Sequence, residues 1–379
     1  MLVVYIAAAL GTSAAYDRVR PFFVFLIAAM VAAAGCGGSS NDSTSPSPVA
    51  FSFVFVGCDR VLAADATPDN PSTANLAQLE RDFAEIPRLK PRPTIAFVVG
   101  DLVLGLNADL AKLRDQLENW KKLYRDSPLG HAHSIRLVAI PGNHEMLIGS
   151  KGSQTSNPGA EDVWLDAMSE YIAGDNGPGP GGPDELATDQ SRLTYSFRYR
   201  NTHFVVVNTD PYGAVATVPV HWIQNDLDKA VSNTAIAHIF VLGHKPAFVP
   251  AIATSGEQSL DVNPANRDAF WSEMNLADVD GYMAAHVHLW DISRPPVPDM
   301  PDLRHTWQVI AGNGGTRPDP GWAESGATPY FGYSQVIVYR SGAVEILSYG
   351  RDFDPQNYLA PSDPAIFPTT LRERVSIVP

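Results

Sequence analysis

Six side chains of metal-ligand type recur along this chain, each just beyond a short apolar run. Val54-Phe55-Val56-Gly57 leads to Asp59, and Ala96-Phe97-Val98-Val99-Gly100 to Asp101. Leu137 to Gly142 leads to Asn143-His144-Glu145, Ile239 to Gly243 leads to His244, and Gly281 to Ala285 leads to His286-Val287-His288. Two carboxylates (Asp59, Asp101), one amide (Asn143) and three imidazoles (His244, His286, His288) delivered in this way could hold two divalent metals.

Side chains at such positions need elements that aim them at one point. Apolar, β-rich runs of this length read as buried strands. A polar residue just past a strand's carboxyl end sits at the rim of a sheet, where α/β proteins build their sites. Helical patterns cover roughly Ala74 to Ile86, Ala108 to Tyr124 and Val220 to Ser232. Tyr195 to Tyr199 and His203 to Asn208 read as a hairpin, and further strands are predicted over Thr306–Ala311, Gln335–Tyr339 and Ala343–Tyr349. Strands that alternate with helices early and pair as hairpins late fit an α/β sandwich of mixed sheets flanked by helices. The stretch Asn157 to Gln190, rich in glycine and proline around a short helical piece (Val163 to Tyr171), reads as a long loop that could close over a site.

In order and type these residues resemble the calcineurin-like metallophosphoesterase superfamily, and within it the purple acid phosphatase-like branch. The motifs that carry the resemblance are Gly57-Cys58-Asp59, Gly100-Asp101, Gly142-Asn143-His144-Glu145, Gly243-His244 and His286-Val287-His288. Tyr195-Ser196-Phe197, His203 to Thr209 and Gly312-Asn313-Gly314-Gly315 extend it over roughly residues 51–350. The resemblance implies a four-layer αββα sandwich of two mixed β-sheets and a phosphoric ester hydrolase using two metal ions (Mn, Fe or Zn). Asp101 would be shared between the ions, Asp59 and His288 would complete the first site, and Asn143, His244 and His286 would hold the second. Two metals about 3.5–4 Å apart can activate a hydroxide and neutralise charge on phosphoryl oxygens. His144 would stabilise the transition state or protonate the leaving oxygen, and Glu145 would orient an imidazole.

The chain departs from the resembled pattern around its first motif. A histidine is common two residues after the first aspartate; Val61 stands there. The tyrosine that purple acid phosphatases carry three residues after the second aspartate is Leu104, and Ala285 replaces a glycine before the last histidine pair. The first metal site is therefore expected to be one protein ligand short. A catalytically weakened, cell-surface binding protein is the alternative reading. Arg60 could meet a substrate phosphate, since arginine makes bidentate phosphate contacts; a structural salt bridge is the plainer reading. Cys58 reads as a small buried hydrophobe, and Trp290 could line the pocket.

Across all 379 residues, 45% are hydrophobic and 18% charged, an ordinary globular composition, and the net charge is −14. That charge argues against a nucleic acid duplex as partner, whereas a small phosphoester is compatible with local metal cations. The two cysteines, Cys36 and Cys58, offer no disulfide framework. Arg18 and Arg20 precede the apolar run Phe22 to Gly35, which ends in Ala33-Ala34-Gly35-Cys36. Basic flank, apolar core and small terminal residues make an export signal over residues 1–36. The box resembles a bacterial lipoprotein cleavage site, with a membrane anchor through Cys36; a soluble periplasmic or secreted product and an uncleaved anchor are alternatives. Residues 1–17 are more than such a signal needs, which suggests a later start. A flexible linker (37–49), one catalytic-type domain (50–353) and an irregular tail (354–379) complete the predicted organisation.

Overall fold

The computed structural model describes residues 47–378, except 151, 256–258 and 362. The export segment with Cys36, and residues 37–46 of the linker, lie outside the described residues.

Along the first half, β1 (Val49–Val56), β2 (Ile95–Val99) and β3 (Arg136–Ile140) are joined by α1 (Leu76–Glu85) and α2 (Leu110–Asp126). Then come the single turn α3 (Asn143–Met146), a small hairpin of β4 (Leu147–Ile148) and β5 (Thr155–Ser156), and α4 (Ala160–Ala167). The second half runs β6 (Tyr195–Tyr199), β7 (Thr202–Val207), α5 (Val220–Ser232), β8 (His238–Gly243), α6 (Pro264–Leu276), β9 (Gly281–Ala284), β10 (Trp290–Ser293) and β11 (Trp307–Ala311). Helix α7 (Pro320–Glu324) precedes β12 (Phe331–Tyr339), β13 (Val344–Arg351) and β14 (Thr370–Val378).

Two six-stranded mixed sheets result, ordered β14-β13-β12-β1-β2-β3 and β10-β11-β9-β8-β7-β6. Side chains alternate across a strand, so an uninterrupted apolar run is buried on both faces. Phe53 and Phe55 of β1 and Phe97 of β2 face Phe204, Phe240 and Leu242 of the other sheet, forming the central core. Phe53 packs against Phe97, Phe204 and Phe240 with ring centroids 5.7, 5.2 and 5.1 Å away. Burying each such ring contributes roughly 1.5–3 kcal/mol.

The intervening residues look outward. Val54, Val56, Ala96 and Val98 pack under α1, α2 and α4, and Val205, Val207 and Val241 under α5 and α6. These four layers are the predicted αββα sandwich. Helix α2 starts where Asp109 accepts the N–H groups of Ala111 and Lys112 (3.0 and 3.3 Å), an N-cap. It buries Leu113, Leu117, Trp120 and Tyr124, one helical stripe.

The C-terminal tail departs from the irregular wrap expected beyond residue 353. Its last part is β14, an antiparallel edge strand on β13. Arg372, Glu373 and Arg374 on exposed backbone dilute the apolar signal there, and such charges suit an edge that must not pair further. No helix among the described residues is long and apolar enough to cross a membrane.

Candidate metal centre

Strands β1, β2 and β3 are parallel, as are β7, β8 and β9, so each set's carboxyl ends lie along one edge. Three non-glycine residues at these ends adopt left-handed backbone: Cys58 (φ 61), Asp101 (φ 57) and His286 (φ 64). Such a conformation costs about 1–3 kcal/mol per residue and clusters at functional sites. Here it turns each side chain out of its strand into a common centre. Gly100 (φ +80) before Asp101 admits no side chain, because a Cβ would lie 2.4 Å from His244 Nδ1.

Asp101, 1% exposed, is the hub. Its Oδ1 lies 3.1 Å from His244 Nε2. Asn143 Oδ1 is 3.0 Å from the same nitrogen and 2.9 Å from His286 Nδ1. The two imidazole nitrogens are 3.3 Å apart. His244 Nδ1 faces the Val99 carbonyl at 2.7 Å, which places its proton there and leaves the Nε2 lone pair inward. Carboxylate and amide oxygens thus turn lone pairs on the inward nitrogen of His244, with His286 Nδ1 beside them. A divalent cation resolves that conflict, so this donor set fits one metal ion. Without one, the strongest compensation is a proton: although burial opposes it, the Asp101 charge pushes the His244 imidazole up. The Asp101 carboxyl is held well below the usual range; burial works the other way, but His144, His244 and Arg60 outweigh it.

On the other oxygen the arrangement differs. Arg60 Nε lies 3.4 Å from Asp101 Oδ2, and Arg60 Nη1 donates to the Val61 carbonyl at 3.3 Å. Donor atoms of Cys58, Asp101 and His288 lie within 4.8 Å of one another. Their donor types can hold a metal ion, but the Arg60 guanidinium faces the same oxygen and offers no lone pair, so an ion there would sit beside a positive charge.

Asp59, expected in this first site, is in none of the three-donor groups among the described residues. Both its oxygens are buried without a hydrogen-bond partner, and Oδ1 sits against Gly314. Burial, then the charge of Asp82, push its carboxyl well up. The cause is where the backbone turns. Cys58 N–H donates to the Gly100 carbonyl and Asp59 N–H to the Asp101 carbonyl, both at 3.0 Å. Asp59 is therefore level with Asp101 in the parallel register, but the residue in left-handed backbone is Cys58, and one step along an extended segment reverses the side chain's direction.

His144 Nδ1 faces the Leu104 carbonyl and its Nε2 is 3.8 Å from Asp101 Oδ2. Burial, then Arg60, push its imidazole down to about 3, and the same causes push His288 down to about 3.

Glu145 orients no imidazole. It accepts the backbone N–H groups of Gly142 (2.7 Å), Asp101 (3.0 Å) and Val103 (3.1 Å), locking the β2 and β3 loops together. Burial, then Asp101, raise its carboxyl to about 7. Glu145→Ala strands three buried donors, each worth about 1–3 kcal/mol. A stability loss of at least about 3 kcal/mol in urea denaturation is expected; less than about 1 kcal/mol would show that the loops are held otherwise.

The centre opens into a cavity of about 800 Å³. Arg60, Leu104, His144, Gln154, His288 and Arg317 are among its walls. Arg317 gave no sequence signal; it arrives because Thr316 Oγ1 donates to the Cys58 and Arg60 carbonyls (2.9 and 2.8 Å). The Asn157–Gln190 segment supplies no lining residue; the loop between β4 and β5 does. Trp290 is also outside it, donating to Ser334 Oγ at 3.0 Å. His203, His221, His238 and His305 pair with aspartates elsewhere.

No protein-family model and no curated protein matches the chain. Among solved structures it is similar to a purple acid phosphatase from yellow lupin (Lupinus luteus) seeds, at 16% identity and a TM-score of 0.52. The alignment covers 82% of this chain and 55% of that enzyme, so the chain spans little more than half its length. It is also similar to PhoD, at 14% identity and a TM-score of 0.55, over 87% of this chain and 70% of that one. These likenesses show a fold in common with both structures.

Proposed function

We propose that this protein is an exported, metal-dependent phosphoric ester hydrolase acting on a small phosphomonoester or phosphodiester. The observation that carries this reading is the set Asp101, Asn143, His244 and His286, whose donor atoms converge beneath a cavity walled by two arginines and His144. When bound, a divalent ion supplies Lewis-acid polarisation and a more acidic water.

The chain's own residues provide the rest. Arg60, with Arg317 at the cavity wall, attracts and orients the phosphoryl oxygens. The carbonyl of Leu104 fixes the His144 ring so that Nε2 faces inward, where it can hold the proton that the leaving oxygen needs. Arg60 opposes the imidazolium; an entering phosphoryl anion offsets that charge and favours it. Glu145 keeps the Asp101 and His144 loops in register.

The signal-type segment 1–36 supports export, with anchoring to a membrane through a lipid on Cys36, or release into the periplasm or medium. The test is a panel of phosphomonoesters and phosphodiesters offered to purified protein with Mn, Fe or Zn. Metal-dependent turnover of at least one class is expected. No turnover, with less than one bound ion per chain, would instead favour a binding protein on this fold.

A further inference from the structure

We propose that this centre is built for a single resident metal ion, held by Asp101, Asn143, His244 and His286, with the Arg60 guanidinium standing in for a second cation on the other oxygen of Asp101. The inference rests on the metal-dependent reading above and concerns how many ions that reading requires.

The two oxygens of Asp101 face different chemistry. Around Oδ1, an amide oxygen and two imidazole nitrogens converge within 2.9–3.3 Å of one another. Around Oδ2 stand Arg60 Nε at 3.4 Å and His144 Nε2 at 3.8 Å, with Cys58 and His288 at the same side. Among the described residues no second carboxylate is grouped with them; Asp59 Oδ1 sits against Gly314.

Arg60 is not a surface residue that strays inward. Its side chain is 9% exposed, its carbonyl accepts Thr316 Oγ1 at 2.8 Å, and Nη1 is bonded to Val61. A divalent ion beside Oδ2 would share one oxygen with this fixed positive charge, in buried surroundings where like charges repel strongly. The guanidinium supplies the charge that a second ion would bring. It adds planar N–H donors suited to phosphoryl oxygens, without affinity for chelators or dependence on metal supply.

Metal counting tests this on the full chain. The protein is stripped, loaded with excess Mn(II) and freed of unbound metal, then studied by elemental analysis and electron paramagnetic resonance. About one ion per chain, with the spectrum of an isolated Mn(II), is expected. Cys58→Asp with Arg60→His removes the fixed cation and adds oxygen and nitrogen donors. That variant should bind about two ions and show a magnetically coupled pair.

Arg60→Gln, which keeps the side chain's bulk, serves if the double variant fails to fold; its count should rise above one at high Mn(II). Two coupled ions in the unmodified protein would overturn the inference and leave the hydrolase reading intact. So would cobalt–thiolate absorption after Co(II) loading, or a count that stays at one in both variants. No bound metal at all would overturn the hydrolase reading itself.

Discussion

Asp101→Asn is expected to lower turnover of a chromogenic phosphate ester by at least about 10³-fold and to leave the protein with less than one bound ion per chain. Asp101 Oδ1 closes the donor set with His244 at 3.1 Å, and Oδ2 anchors Arg60 at 3.4 Å. One substitution therefore weakens both positive charges that a phosphoryl group would meet. Lewis-acid stabilisation is worth several kcal/mol, and each 1.36 kcal/mol is tenfold in rate. Asparagine keeps the shape and tolerates the left-handed backbone, so an unchanged circular dichroism spectrum should accompany the loss. Full activity in this variant would contradict the assignment.

His144→Ala should act on a different quantity. His144 lies outside the converging donor set, so metal content should stay at the unmodified level. The turnover number should fall by about 10²–10⁴-fold, the usual contribution of a positioned proton donor. The loss should depend on the leaving group: small for a nitrophenol, which departs without a proton, and large for an alkyl alcohol, which needs one. An equal loss for both esters would assign His144 to charge stabilisation instead. A drop in metal content would make it a ligand.

Much of this architecture was legible because the signals were local. Val54 to Gly57 and Ile239 to Gly243 are apolar without interruption, as strands buried on both faces must be. The stripe Ile223, Leu227, Ala230 made α5 readable to its ends. Helix α6 escaped notice because Asn, Arg, Asp and Glu intersperse its buried Phe270, Trp271 and Met274. Its Pro264 start was the available clue. Strand β14 was hidden by the charges that protect a sheet edge.

At the site, residue type was a better guide than residue position. Asp101, Asn143, His244 and His286 do meet, from four different strand ends. Asp59 does not, because chemical type favoured the aspartate while the left-handed turn falls one residue earlier, at Cys58. Arg317 is a tertiary fact: bonds of Gly314, Gly315 and Thr316 to the β1 loop bring it to the cavity.

Hydrolysis by one preparation before and after metal is restored tests most directly the proposed metal-dependent phosphoesterase activity of the Asp101 centre. Protein stripped by a chelator should be inactive toward a chromogenic phosphate ester. Activity should return in proportion to Mn, Fe or Zn bound, reaching its plateau as the Asp101 site fills. Hydrolysis that persists in the stripped protein, or none at full occupancy across mono- and diesters, would contradict the account.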